Sequence, residues 1–266
     1  MRLTMLGTGH AGVTECYNTC FILENQGQLF LVDGGGGNTL LRQLQQTGYN
    51  WMDIRDIFVT HKHLDHLLGI LWMIRRLVSS MARGAFPGTV RIYSHREVVE
   101  LLREMTLQLF TPEQAAVLDR QLFLVEVTDG QTLDIIGRPV TFFDIHASKA
   151  RQFGFCMDLG EGRRLTCCGD EPLAAAAQHY AAGCEWLLHE AFCLHAQADI
   201  FKPYAKHHST VKDACELAER LGVRNLLLYH TEDQNLARRK ALYLAEGRRY
   251  YHGNLQVPDD LESIDL

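Results

Sequence analysis

The sequence predicts an α/β fold, with two sheets and outer helices in a single domain over residues 1–266. Three observations lead there. Short apolar runs bounded by glycines recur through both halves of the chain. Segments with leucines at helical spacing are scattered among them. No repeat, low-complexity tract or linker rich in Pro, Gly or Ser divides the chain.

Taken in order, "RLTMLGTG", "NTCFILE" and "GQLFLVDGGGG" read as strands around residues 2–6, 18–24 and 28–33. Leu40, Leu41 and Leu44 then mark a helix that Gly48 stops. "IRDIFVT" is a buried strand, and "LDHLLGILWMIRRLVSSMA" is a helix. A strand near 89–93 and a helix near 96–109 follow, then strands near 121–126, 131–135 and 139–145. "QFGFCMDL" and "RRLTCCGD" suggest a hairpin, leading to a helix near 172–182 and the strand "CEWLLHE". After a polar loop come the helix "TVKDACELAERLG", the strand "NLLLYH" and the helix "QNLARRKALYLAEG".

Composition narrows the function. Hydrophobic residues are 47% and charged residues 22%, ordinary for a globular enzyme. A formal charge of −6 supplies no global attraction to nucleic acid or anionic lipid. No run approaches the roughly 18–20 apolar residues of a membrane span, and the N-terminus reaches glycines too early for a signal peptide. The eight cysteines form no Cys-x-x-Cys pair, and several lie in strand-like runs, so free thiols and a cytoplasmic location are expected.

The chemistry concentrates in "FVTHKHLDHLLGI", where His61, His63, Asp65 and His66 form H-x-H-x-D-H. If a strand ends near Thr60, alternation points His61 and His63 the same way, and Asp65 and His66 fall in the first turn of the next helix. Imidazole nitrogen and carboxylate oxygen are donors that zinc, manganese and iron accept, and four donors within six residues can serve two adjacent metals. A plain polar loop would account for one histidine but not for three at this spacing after an apolar strand.

This stretch resembles the signature of the metallo-β-lactamase superfamily, and the family's other motifs appear in order: His146 in "TFFDIHAS", Asp170 in "LTCCGDEP", His230 in "NLLLYHTED" and Asp33 in "LFLVDGGGG". The resemblance covers nearly the whole chain. It implies an αββα four-layer sandwich of two mixed sheets. It also implies two divalent metal ions, zinc foremost with manganese or iron as alternatives. One metal would take His61, His63 and His146, and the other Asp65, His66 and His230, with Asp170 bridging. Two such ions can hold a hydroxide between them for hydrolysis. Asp33 would orient a ligand through hydrogen bonds.

Within the superfamily the chain resembles the ribonuclease Z-like branch, through "LGTGHAG", "LLHEAF" and "KHHST". That likeness implies catalytic roles for His208, Glu190 and Asp65: His208 stabilises transition-state charge or protonates the leaving oxygen, Glu190 tunes it, and His189 is structural. The bland alternative has Ser209 or Thr210 capping a helix while His208 points to water. Only 23 residues separate His146 from Asp170, too few for the long tRNA-gripping arm of bacterial ribonuclease Z. Together with the negative charge, this argues against tRNA and for a small or nucleotide-like anionic phosphodiester. Rival readings are an aryl sulfatase, a lactonase, a tRNA 3′-processing endonuclease and a non-catalytic metal-binding protein. Lys202, Tyr204 and Lys206 in the 192–207 loop either rim the site or are merely solvated. His10, Lys149 and Arg151 stay open in the same way. Many relatives pair, so a homodimer is expected.

Overall fold

The computed structural model describes residues 1–266. Its strands begin with β1 (Arg2–Gly7), β2 (Cys20–Asn25), β3 (Gln28–Val32), β4 (Ile54–Phe58), β5 (Val90–Ser94) and β6 (Leu122–Glu126). These six neighbour one another in that order. A second sheet runs through β7 (Thr132–Ile135), β8 (Arg138–Asp144), β9 (Phe153–Gly160), β10 (Arg163–Cys167), β11 (Trp186–Glu190), β12 (Asn225–Tyr229) and β13 (Asn254–Gln256). The last strand, β14 (Ser263–Asp265), returns to pair with β1, giving two seven-stranded sheets. Both are mixed: β3 to β6 and β10 to β13 run parallel, and the remaining pairs antiparallel.

The helices are α1 (Thr39–Gln46), α2 (Leu64–Ala82), α3 (Arg96–Leu109), α4 (Pro112–Ala115), α5 (Ala198–Phe201), α6 (Val211–Arg220) and α7 (Leu236–Gly247). In α2 the residues Leu67, Ile70, Ile74, Leu77, Val78 and Met81 are buried at helical spacing, while Arg75 and Arg76 face solvent. That stripe packs on the outer face of the first sheet, and α6 and α7 cover the second. Aromatic side chains fill the space between the sheets, with Phe58 5.0 Å from Phe142 and Phe30 5.6 Å from Phe155 between ring centroids. β12 is apolar from Leu226 to Tyr229 because both its faces are covered there. The result is the αββα sandwich of two mixed sheets that was expected.

Two differences from the expected elements have local causes. The helix expected near 172–182 is a 3₁₀ segment, Ala175–Tyr180, since Pro172 and Gly183 leave too short a run and only Ala177 is buried. The short strands β13 and β14 carry no clear alternation and exist because sheet edges accept them.

His95 precedes α3, is only 1% exposed, and has no hydrogen-bond partner at either ring nitrogen. Burial lowers its pKa below the ordinary 6.5, so the unfolded chain takes up the proton first. Its contribution is therefore present above about pH 6.5 and is lost as pH falls below that value. His95→Phe is expected to raise Tm, by about 2–4 °C per kcal/mol recovered from the unpaired nitrogens. It should also flatten the fall in Tm between neutral and mildly acidic pH. An unchanged acid slope in thermal melts would show that His95 does not contribute to it.

Candidate metal centre

The proposed residues converge because the parallel strands end on one side of the sandwich, where α/β sheets characteristically bind ligands. Asp33 follows β3, His61 and His63 follow β4, Asp170 follows β10, Glu190 ends β11 and His230 follows β12. α2 is brought against the β3 loop by two glycines. A Cβ on Gly69 would lie 1.8 Å from the Gly34 carbonyl oxygen, so neither a side chain nor a wider gap fits there. The Gly34 N–H donates to the His66 carbonyl at 2.9 Å, fixing the first turn of α2 beside Asp33.

Asp33 organises this corner. Its Oδ1 accepts from the Thr60 N–H and its Oδ2 from the Thr60 hydroxyl, both at 2.8 Å. Oδ2 also meets His66 Nδ1 at 2.7 Å, which places the proton on Nδ1 and turns Nε2 toward the cluster. His61 Nδ1 contacts Thr60 Oγ1 at 2.9 Å, and His230 Nδ1 contacts Thr19 Oγ1 at 3.1 Å, so these rings too aim Nε2 inward.

Two groups of donor atoms result, each with all atoms within 4.8 Å of one another: Asp65, His66, Asp170 and His230 in one, and His61, His63 and Asp170 in the other. Asp170 belongs to both. Its Oδ1 lies 3.5 Å from His61 Nε2, and its Oδ2 lies 3.5 Å from His66 Nε2 and 3.4 Å from His230 Nε2. Burial disfavours charge on Asp65 and Asp170, yet His66 and His61 respectively hold these carboxyls well below the ordinary range. Asp65 Oδ2 and His66 Nε2 are buried with no hydrogen-bond partner, as atoms reserved for a cation would be. The donor set of imidazoles and carboxylates fits divalent ions of the zinc, manganese and iron type.

His146 stands apart from both groups. It follows β8 in a left-handed conformation (φ +58°) with an exposed side chain, held through its backbone N–H to Asp144 Oδ1 at 2.8 Å. Asp33 and His230 are left-handed as well, at φ +57° each.

His208 does not point to water. Thr210 caps α6 in a capping box with Asp213, while His208, two residues earlier, is 6% exposed and faces the cluster, its ring 5.3 Å from that of His230. Glu190 is fully buried. One of its oxygens accepts from the Ser209 N–H, and the other, unpartnered, lies 3.7 Å from His208 Nδ1, which is also unpartnered. Burial holds His208 down to about 4 and pushes Glu190 well above its ordinary value. His189 is buried, with Nδ1 bonded to the Glu190 carbonyl at 2.8 Å.

A cleft of about 450 Å³ opens over these groups, with His63, Asp65, Asp170 and His230 in its lining. Three rings stack along it: His10 lies 4.2 Å from Phe192, and Phe192 lies 4.7 Å from His208. Burial, helped by the Lys206 ammonium, holds His10 down to about 4. Of Lys202, Tyr204 and Lys206, only Lys206 turns to the cleft, with Nζ 4.8 Å from the Phe192 centroid. Lys202 pairs with Asp199, and the Tyr204 hydroxyl donates to Asp213. Arg151 pairs with Asp144 at 2.9 Å. Sequence reasoning missed Phe192 as part of the cleft and Gln152, whose amide donates to Asp170 Oδ1. Gln152 sits in a loop with no motif of its own.

Comparison with known proteins agrees with the fold. The chain is similar along 100% of its length to the ribonuclease Z of Methanothermobacter thermautotrophicus, at 25% identity over 97% of that protein. It is likewise similar to the ribonuclease Z of Mycobacterium avium, at 25% identity over 100% of this chain and 98% of that one. Among solved structures, the metallo-β-lactamase fold protein YhfI of Bacillus subtilis superposes with a TM-score of 0.79 at 15% identity, covering 99% and 98% of the two chains. The short form of human tRNase Z gives a TM-score of 0.73 at 20% identity, covering 100% and 99%. The family model described as anti-Pycsar protein Apyc1 matches residues 1–246. The chain therefore belongs to the anti-Pycsar protein Apyc1 family, with a metallo-β-lactamase fold and similarity along its length to ribonucleases Z.

Proposed function

We propose that this metal-dependent hydrolase is a binuclear phosphodiesterase acting on a small or nucleotide-like anionic phosphodiester. The observation that carries the reading is the cleft of about 450 Å³, in which both donor groups share Asp170 and the His208–Glu190 pair stands beside them. Relatives named ribonuclease Z and a diphosphatase of the PhnP family support phosphoryl chemistry.

His61 and His63 would hold one cation and Asp65, His66 and His230 the other, with Asp170 offered to both; His146 would join the first set only with its exposed side chain turned inward. Bound there, such ions supply Lewis acidity and lower the pKa of water. His208 contacts the reacting phosphoryl group, with the unpartnered Glu190 oxygen 3.7 Å from its Nδ1 to orient the ring. Asp33 keeps His66 in one tautomer.

The His146–Asp170 interval is filled by the β9–β10 hairpin with its flanking loops, which leaves no arm for a tRNA. A single hydrolase domain over residues 1–266 and a cytoplasmic location complete the reading. All eight cysteines are free and seven of them buried, and no helix is long and apolar enough to cross a membrane. A second copy of the chain is the proposed partner, met through exposed apolar side chains of α2 and α3 such as Trp72, Leu107 and Leu109.

The test is turnover by zinc- or manganese-loaded protein on bis(p-nitrophenyl) phosphate, a cyclic mononucleotide, a tRNA precursor, a lactone and an aryl sulfate. Hydrolysis of the first two and not the others is expected. Turnover confined to the lactone or the sulfate would overturn the substrate class, and preference for the tRNA precursor would restore the endonuclease reading.

A further inference from the structure

The chain has six lysines, and four of them pair with a carboxylate: Lys62, Lys202, Lys212 and Lys240. The two that do not, Lys149 and Lys206, are the two that line the cleft. Lys206 lies over the Phe192 ring, whereas Lys149 reaches a reacting group, with Nζ 3.3 Å from His208 Nε2. An ammonium only donates, so Nε2 accepts and the His208 proton sits on Nδ1, facing Glu190.

This placement of Lys149 is built from below. Glu171, directly after Asp170, is 2% exposed and spends its carboxylate on the loop that carries Lys149. Oε2 accepts from the Ser148 N–H at 2.8 Å and the Ser148 hydroxyl at 2.9 Å, and Oε1 accepts from the Lys149 N–H at 3.2 Å. With its one proton given to Glu171, Ser148 Oγ accepts from His207 Nδ1 at 2.6 Å. His207 directly precedes His208. One buried carboxylate thus ties Lys149 to the segment that presents His208.

We infer that Lys149 is a catalytic residue whose ammonium contacts a non-bridging phosphoryl oxygen of the substrate, and that Glu171 is its positioning residue. The inference rests on the phosphodiesterase reading for its substrate. Its physical basis is that an exposed ammonium lining the cleft, with no carboxylate partner, forms a charge-assisted hydrogen bond to an anionic oxygen that gains charge as the reaction proceeds.

The test compares wild type, Lys149→Ala, Lys206→Ala, Glu171→Gln and the Lys149→Ala/Glu171→Gln double variant, each loaded with metal and checked for metal content. Two quantities are read: kcat/KM on bis(p-nitrophenyl) phosphate, and the affinity for inorganic phosphate by calorimetry. Lys149→Ala should lower both about 10- to 100-fold with metal content unchanged. Lys206→Ala should lower them less, and the double variant should be no worse than Lys149→Ala alone. Equal losses in the two lysine variants would reduce the effect to general charge attraction and overturn the specific contact. Unchanged phosphate affinity in Lys149→Ala would overturn it too. Additive losses in the double variant would remove Glu171 from the positioning role. Phosphate bound through Lys149 without phosphodiester turnover would sink the phosphodiesterase reading and leave the contact standing. Wild-type turnover after Lys149→Ala would do the opposite.

Discussion

Asp170→Asn is expected to lower phosphodiester turnover by about 10³-fold or more, equivalent to roughly 4 kcal/mol of barrier, and to reduce the bound metal per chain. Asp170 is the only side chain common to both donor groups. Asparagine keeps its size but removes the charge that two cations would share. Gln152 is already committed to Asp170 through two contacts, its amide donating to Oδ1 and its carbonyl accepting from the Asp170 N–H at 3.2 Å. Gln152 can therefore not replace the lost oxygen without breaking that pair. Metal analysis and steady-state kinetics on the same preparation check the expectation. Full metal content with activity within tenfold of wild type would show that Asp170 does not join the two sites.

His208→Ala has the second largest expected effect, but of a different kind. Proton transfer or transition-state charge stabilisation by a placed imidazole is worth about 10²–10⁴-fold, and that loss should fall on kcat. Metal content should stay at the wild-type level, because His208 belongs to neither donor group. The variant also empties one end of the His10–Phe192–His208 stack, so KM is expected to move modestly if the stack holds part of the substrate. Glu190→Gln is the informative companion, since its amide oxygen keeps the acceptor for the Ser209 N–H while an NH2 replaces the oxygen beside Nδ1. A His208→Ala protein that loses metal in proportion to activity would place His208 in the metal site rather than in the chemistry.

Much of this site was legible in the sequence because its donors sit at the ends of strongly patterned elements. The apolar run before His61 and the long stripe of α2 after His66 leave little freedom in where four donors fall. His208 was legible only through its neighbours. "KHHST" marks a helix start by elementary capping chemistry, and nothing local says that the histidine turns inward, because Glu190 and Phe192 that receive it come from the end of β11 and the residues just after it. Gln152, Phe192 and the Glu171–Ser148–His207 link were not legible. Each acts across 15 or more positions through contacts that leave no periodicity, such as the Ser148 contact with His207, separated by 59 residues. The conformation of His146 was not legible for a related reason. Family order places the residue at a strand end but does not orient its side chain, which is exposed beside an irregular loop.

The left-handed backbone of Asp33, His146 and His230 has a bearing on how this chain can change over time. Such a conformation costs a side-chain-bearing residue on the order of 1 kcal/mol or more, and glycine or asparagine would sit there with less strain. Three residues at strand ends therefore hold conformations that a selection for durability alone would edit away. On the proposed site, hydrolysis bars those positions from their most comfortable occupants. A lineage that stopped needing the reaction could drift to glycine at all three and become harder to melt as it became inert. In this fold, gain of stability at the strand ends is a signature of abandoned chemistry.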